Sequence, residues 1–361
     1  MVRLLRISRG IRLKKATIRD VAERAKVSIA TVSRVVNDKH DHIPISKRTI
    51  DEVRKAAHEL DYVPNVIARS LVQQKTNVIG LVIPDIMHSY FPQITRGVES
   101  NAYKQSYQVI LCDSQENPGK EEKQVRTLAE RQVDGIIIAP VSAKSKKTLD
   151  LLKKQEIPFV LVDRHFGEEC DFVGTDGTAG AVIAVEHLLL LGHKRIGHLR
   201  GTPGVSSAEE SLNGYRRALR EAGIGEDERL IRGKGYYERD GYEAMKELLE
   251  TRRRPSAVFA ANDLLALGGF QALEETGIQV PGSMALIGSG NLSFDAFLKV
   301  PLSSLDEQAE EIGIEAVRLL CRRLEDRGEP VMQKHIPPRL IVRESSGGNR
   351  LFAKGEALNE G

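Results

Sequence analysis

The chain has 361 residues, 41% of them hydrophobic and 29% charged, which is too long for one ordinary domain and too apolar for a disordered chain. No apolar run reaches the ~18 residues of a membrane span. Arg3, Arg6, Arg9, Arg12, Lys14 and Lys15 leave no signal-peptide core, so a cytoplasmic protein is expected. Cys112, Cys170 and Cys321 are scattered, which fits neither a disulfide framework nor a metal cluster. The net charge of +3 conceals an asymmetry. Residues 1–75 carry 17 Lys+Arg against 8 Asp+Glu, net +9, and the remainder 36 against 42, net −6. A basic module on an acidic body suits a nucleic-acid partner, although a solvated basic tail gives the same charge.

After a basic arm over residues 1–15, the pattern to residue 62 is helical. Thr17 stands in capping-box spacing with Asp20, ahead of a small apolar face of Val21, Ala22 and Ala25. Lys26-Val27-Ser28 makes a tight turn, and Ser28 is placed to cap a second helix, Ile29–Val36. Ser46 is placed to cap a third, Lys47–Leu60, with Ile50, Val53, Ala57 and Leu60 on one face. Three short helices with small residues at the first crossing predict a helix-turn-helix over residues 16–62, whose second helix enters a major groove. Residues 63–76 form a hinge and linker, with Pro64–Leu71 too short to be a stable helix alone.

From Asn77 short apolar runs alternate with helical patterns. Strands are predicted at Val78–Ile83, Gln108–Cys112, Gly135–Ala139, Phe159–Val162, Arg195–Leu199, Ala257–Ala260 and Met284–Ile287. Helices are predicted at Pro92–Lys104, Lys120–Arg131, Ala181–Leu191, Leu212–Ala222, Gly241–Leu249 and Leu264–Glu275. Continuous apolar strands alternating with helices imply parallel sheets covered on both faces. The span of 77–345 is long for one such sheet, so two similar α/β lobes with a cleft between them are expected. Residues 346–361 are polar and glycine-bearing and are expected to be a tail.

Ala16-Thr-Ile-Arg-Asp-Val-Ala-Glu-Arg-Ala-Lys-Val-Ser-Ile-Ala-Thr-Val-Ser-Arg-Val-Val-Asn37 resembles the headpiece of the lac/gal repressor family. Asp61-Tyr-Val-Pro-Asn-Val-Ile-Ala-Arg-Ser-Leu71 resembles that family's hinge. The resemblance continues through Val78-Ile-Gly-Leu-Val-Ile-Pro84, Asp134-Gly-Ile-Ile137, Leu191-Gly-His-Lys-Arg-Ile196 and Ala261-Asn-Asp-Leu-Leu-Ala-Leu-Gly268, in the family's order. It implies a DNA-binding transcription regulator, usually a repressor. The implied fold is a helix-turn-helix headpiece on a two-lobed, periplasmic-binding-protein-like sensor, assembled as a homodimer on double-stranded operator DNA. A small effector, carbohydrate-related in the family, is implied between the lobes, with no cofactor and no membrane.

The resemblance also implies roles for particular residues. Ile29, Ala30 and Arg34 take positions facing base edges, Arg34 offering a guanidinium fork to guanine. From periodicity alone, headpiece core is the lesser alternative for Ile29. Thr17, Ser28, Thr31, Ser33 and Asn37 take phosphate-contacting positions, or act as plain helix caps. In the hinge, Leu71 matches a minor-groove wedge and Ala68 lies one turn before it. Asp38–Ile45 is about three residues longer than the family's usual connection, and is read as a solvated loop.

In the sensor, crossovers between lobes are expected near Leu190–Gly192, Pro301–Asp306 and His335–Leu340. Tyr90 and Phe91 match a ligand-packing position, with core packing the alternative. Asp176 and Asn262 match ligand-bonding positions and are equally placed as helix caps. Two effector positions depart from the pattern: Ser211 stands where many members carry an arginine, and Gly290 where many carry an aspartate. His187, His193 and His198 do not fall on one face, so no metal site is read. Arg200-Gly-Thr-Pro-Gly204 is not a phosphate-binding loop. No nucleophile–base pair supports an enzyme, and a transport protein would need a signal peptide and no headpiece.

Overall fold

Three hydroxyl-bearing caps organise the first part of the chain. In a computed structural model of the protein, which describes residues 16–37, 45–63, 75–167 and 170–348, α1 (Ile18–Ala25) starts in a reciprocal capping box. The Thr17 amide donates to Asp20 Oδ2 at 2.7 Å, and the Asp20 amide to Thr17 Oγ1 at 3.4 Å. Lys26, at φ 54°, ends α1 in the left-handed region and turns the chain into α2 (Ile29–Val36). Ser28 and Ser46 cap α2 and α3 (Lys47–Glu59) by accepting from the amides of Thr31 and Thr49. Val21, Ala22, Ala25, Val32, Val35, Val53 and Ala56 close a core of small side chains. On α3, Val53 and Ala56 are fully buried, while Ile50, Ala57 and Leu60 pack only in part.

By its contacts the chain divides into two units, residues 1–76 and 77–361. The second unit holds two six-stranded sheets. The first combines β1 (Val78–Ile83), β2 (Gln108–Asp113), β3 (Gly135–Ile138), β4 (Phe159–Val162), β5 (Phe172–Thr175) and β11 (Gln333–Ile336), in the order β11-β5-β4-β3-β1-β2 with every pairing parallel. The second combines β6 (Ile196–Leu199), β7 (Ile231–Arg232), β8 (Ala257–Ala260), β9 (Ala285–Ser289), β10 (Ser303–Asp306) and β12 (Arg339–Ile341), in the order β12-β10-β9-β8-β6-β7. It is parallel except for the β10–β12 pair.

Helices cover both faces, which is why β1 reads as an unbroken apolar run. Ile79, Leu81 and Ile83 join one core with α4 (Phe91–Lys104) and α11 (Ala309–Glu325). Val82 joins another with α5 (Pro118–Glu130) and α6 (Lys146–Lys154). Where α4 crosses α11, a Cβ on Gly97 would stand 2.0 Å from the Glu310 carbonyl, and one on Gly313 2.2 Å from that of Ile94. Only glycine lets the two backbones approach so closely. The second lobe is built from α7 (Gly177–Leu190), α8 (Ser206–Glu221), α9 (Glu238–Leu249) and α10 (Asp263–Glu275) around its sheet.

The chain passes between lobes three times. The first passage lies at Thr175–Gly177, between β5 and α7, and not at Leu190–Gly192 as expected. Helix α7 belongs to the second lobe, because Ala181, Ala184, Val185 and Leu188 are buried with Ile196 and Tyr215. The second passage runs from β10 to α11, just past the expected Pro301–Asp306, and the third from β11 to β12 within His335–Leu340. The passages are laced together: Thr175 Oγ1 donates to the Glu307 carbonyl at 2.9 Å, and Gln308 Nε2 to that of Pro337 at 2.6 Å. Ser345 and Ser346 are buried, and the Ser303 hydroxyl donates to Ser346 Oγ at 2.9 Å. Sensor packing therefore runs past residue 345, where the tail was expected to start. Among the described residues no helix is long and apolar enough to cross a membrane.

Candidate nucleic-acid interface and effector cleft

Helix α2 has two faces. Val32 and Val35 are buried, and the opposite stripe carries Ala30, Ser33, Arg34 and Asn37 at i, i+3, i+4 and i+7 spacing. Ile29 is 43% exposed beside that stripe and outside the buried core. Ser28 and Ala30 are exposed as well, and Arg34 is half-buried. Several expected phosphate-contacting groups hold one another in place. Ser28 Oγ and Thr31 Oγ1 lie 2.9 Å apart, and Asn37 Nδ2 donates to the Ser33 carbonyl at 2.6 Å. Thr17 and Ser28 thus serve as caps while remaining exposed, so capping leaves them available to a phosphate. Ala68 and Leu71, the hinge residues, lie outside the described residues, as do the basic arm and residues 38–44.

In the second unit a cavity of about 60 Å³ lies between the lobes. Tyr90 and Phe91, at the start of α4, border it and are also buried in the first lobe's core. Asn262 caps α10, accepting from the Leu265 amide at 2.7 Å. Its Nδ2 faces the cavity and donates to the Tyr236 carbonyl at 2.9 Å and to His88 Nε2 at 3.1 Å. Gly290 borders the cavity at φ 125°, with Asp263 Oδ2 3.1 Å from where a Cβ would stand. An aspartate there would be strained and would face another carboxyl, which accounts for the glycine.

Asp176 and Ser211 are not brought to the cavity. Asp176 caps α7, its Oδ1 accepting from the Ala179 amide at 2.8 Å. Ser211 is buried within α8. The lining also includes His88, Asp163, Arg164, Ser207, Tyr236, Ser289 and Glu307, which sequence reasoning missed. Asp163-Arg164 follows an apolar strand directly, and the carboxyl end of a parallel strand is where α/β sheets hold ligands. That position was the available signal.

Arg164 dominates the cavity's electrostatics. Its Nε lies 3.3 Å from Asp163 Oδ2, its Nη2 3.6 Å from Glu116 Oε1, and its Nη1 donates to the Val141 carbonyl at 3.0 Å. The guanidinium carbon stands 5.3 Å from the Tyr236 ring centroid. Burial pushes Asp163 up to about 6 against the pull of Arg164, and pushes Glu307 up to about 7. Burial, reinforced by Arg164, holds His88 down to about 4, so it is neutral at pH 7. Direct bonds bridge the lobes beside the cavity: His165 Nε2 to Glu210 Oε1 at 2.7 Å, and Tyr237 Oη to Asp85 Oδ2 at 2.6 Å. Ligand pockets usually measure about 300–1,000 Å³, so a ligand of monosaccharide size requires the lobes to part.

The family model described as bacterial regulatory proteins, lacI family, matches residues 17–65, and the periplasmic binding protein-like domain model matches residues 185–346. The ribose operon repressor of Halalkalibacterium halodurans is 33% identical over 332 residues, 92% of this chain and 97% of the relative. The chain belongs to the lacI family of bacterial regulatory proteins. A further relative, the HTH-type transcriptional repressor PurR of Haemophilus influenzae, is 34% identical over 91% of this chain and 98% of its own length. Among solved structures, a lac repressor dimer bound to operator and the anti-inducer ONPF superposes with TM-score 0.83 at 25% identity, covering 92% of this chain and 99% of that one. A complex of the regulator CelR with cellobiose gives TM-score 0.71 at 29% identity over 91% and 99%.

In this lacI-family sensor His187, His193 and His198 are spent separately. His187 Nε2 meets Ser346 Oγ at 3.1 Å, His193 Nδ1 meets Ser256 Oγ at 2.9 Å, and His198 stacks between Tyr215 and Phe259. Among the described residues no His, Cys, Asp and Glu group is arranged to hold a metal ion.

Proposed function

We propose that this chain is a sequence-specific transcriptional repressor whose operator affinity is set by a small effector bound between its sensor lobes. The observation that carries the reading is the solvent-accessible polar stripe of α2, on an N-terminal segment of net charge +9, in one chain with a two-lobed cleft. Arg34 reads guanine, while Ile29 and Ala30 pack on thymine methyls. Thr17, Ser28, Thr31, Ser33 and Asn37 fix the register on phosphates. The hinge pairs across a homodimer, with Leu71 wedged in the minor groove and Ala68 against the partner hinge. Relatives named as repressors, and neighbours solved with cellobiose and with ribose, support a repressor with a polyhydroxylated effector. No catalytic group enters this account. Selection of bound duplexes from random DNA tests it: enrichment of a two-fold-symmetric motif is expected, and recovery of unrelated sequences would overturn it.

A further inference from the structure

The charge inside the cleft is out of balance. Granted the reading that the cleft holds the effector, its lining decides which chemical class can enter. Arg164 is the one permanent cation among the described residues lining the cavity, and it is already engaged by Asp163, Glu116 and the Pro140 and Val141 carbonyls. Among the described residues no cation stands in ion-pair distance of Glu307. Ser289 Oγ donates to its Oε1 at 2.5 Å, and its acidic neighbours Asp163 and Asp263 are carboxyls that burial pushes towards the neutral form. Beside it the Tyr90 side chain is only 7% exposed, and its hydroxyl, near Glu307 and Thr175, makes no hydrogen bond of good geometry. A buried hydroxyl and an uncompensated carboxylate therefore face one small cavity. Glu307 also stands on the passage from β10 to α11, and its carbonyl accepts the Thr175 hydroxyl of the first passage. Glu307 thus ties two of the three passages between the lobes together, its carboxyl towards the cavity and its carbonyl on Thr175.

We propose that Glu307 determines effector specificity: it accepts a hydrogen bond from a hydroxyl or ammonium group of the effector, and excludes effectors carrying a phosphate or carboxylate. Above about pH 7, where Glu307 is ionised, an anion brought beside its carboxylate meets like charge in a partly desolvated site with no uncommitted cation among the described lining residues. A neutral polyol or an amine instead presents a further donor to the Glu307 carboxyl and a hydrogen-bond partner to the Tyr90 hydroxyl.

Calorimetric titration of the full chain at pH 8, where Glu307 is ionised, with charge-matched probes tests this. The panel is ribose with ribose 5-phosphate, and glucose with glucosamine, gluconate and glucose 6-phosphate. A neutral or ammonium member is expected to bind, with its anionic counterpart at least about 100-fold weaker. That gap is expected to shrink at least about 10-fold in Glu307→Gln, which keeps an acceptor but loses the charge; thermal melting checks that the variant is folded. Preferential binding of glucosamine assigns the donor as ammonium, and preferential binding of ribose or glucose as hydroxyl. Binding of a phosphorylated or carboxylated member as tight as its neutral partner would overturn the proposal. So would an unchanged gap in Glu307→Gln, or no binding by any member at millimolar concentration. Ser207→Trp, which fills the cavity, separates the two readings: unchanged binding there would remove the ligand from the cleft and overturn both, whereas the other failures leave the regulator standing.

Discussion

Arg34 is the one side chain on the stripe of α2 opposite the buried valines with a fork of donors, so the proposal places base discrimination on it. Arg34→Ala is expected to lose preference for one G·C pair in each half-site, worth about 1–3 kcal/mol. Ser33→Ala, at a phosphate position, is expected to weaken all sequences alike. Binding matrices for the two variants distinguish these outcomes, and an unchanged matrix for Arg34→Ala would reject the assignment. At the other end of the chain, Asp295 is fully buried and paired with the buried Asp263, whose Oδ1 accepts from Ser304 and Oδ2 from the Leu292 amide. Burial pushes Asp295 from its ordinary 3.8 to about 6. Across that window the native state holds more protons than the unfolded chain, so the pair's contribution to stability falls as pH rises and stays low above it. Asp295→Asn has no charge to lose. It is expected to be more stable than the parent at pH 8, by on the order of 1–3 kcal/mol, with a smaller difference at pH 4. Equal differences by thermal melting at both pH values would contradict this.

At the level of elements, the proposed hinge gives the most specific prediction. Eight residues, Pro64–Leu71, are too few for a stable isolated helix, and a solvated linker gains nothing from an apolar Leu71. Leu71→Ser is therefore expected to reduce operator affinity and bending while leaving non-specific binding nearly intact. Electrophoretic bending assays check it, and parental bending by the variant would refute the wedge. The elements that sequence reasoning placed well are those whose signal is local. Thr17 with Asp20, Ser28 and Ser46 announce the headpiece helices, and the apolar runs of β1, β4 and β8 announce buried parallel strands. The elements it missed carry weak or misleading signals. Strand β11 reads Gln-Lys-His-Ile at a sheet edge, and β10 begins with two serines that are buried only because Ser345, Ser346 and Asp263 take up their hydrogen bonds. Asp176 shows the same limit in the cleft. A motif position marks a residue as ligand-facing, but the helix it caps decides where it points. Glu307 and Tyr236 come to the cavity through tertiary packing alone, which no spacing along the chain encodes.

For the whole molecule, an operator of two half-sites needs two headpieces, so a homodimer through the sensor is expected. Sedimentation at micromolar concentration checks it: a monomer or a tetramer would contradict the assembly. The basic headpiece on an acidic sensor also means that part of its DNA affinity is sequence-blind and falls steeply with salt. Affinity alone therefore cannot establish a regulator, whereas the ratio of specific to non-specific affinity can. The decisive measurement is that ratio, for the full chain at about 0.15 M salt, between the selected duplex and a scrambled duplex of equal length and composition. A regulator that reads bases through α2 gives a ratio of about 10³ or more, reduced by roughly tenfold or more for each half-site altered by Arg34→Ala. A ratio near one, or a high ratio indifferent to Arg34, would contradict the account.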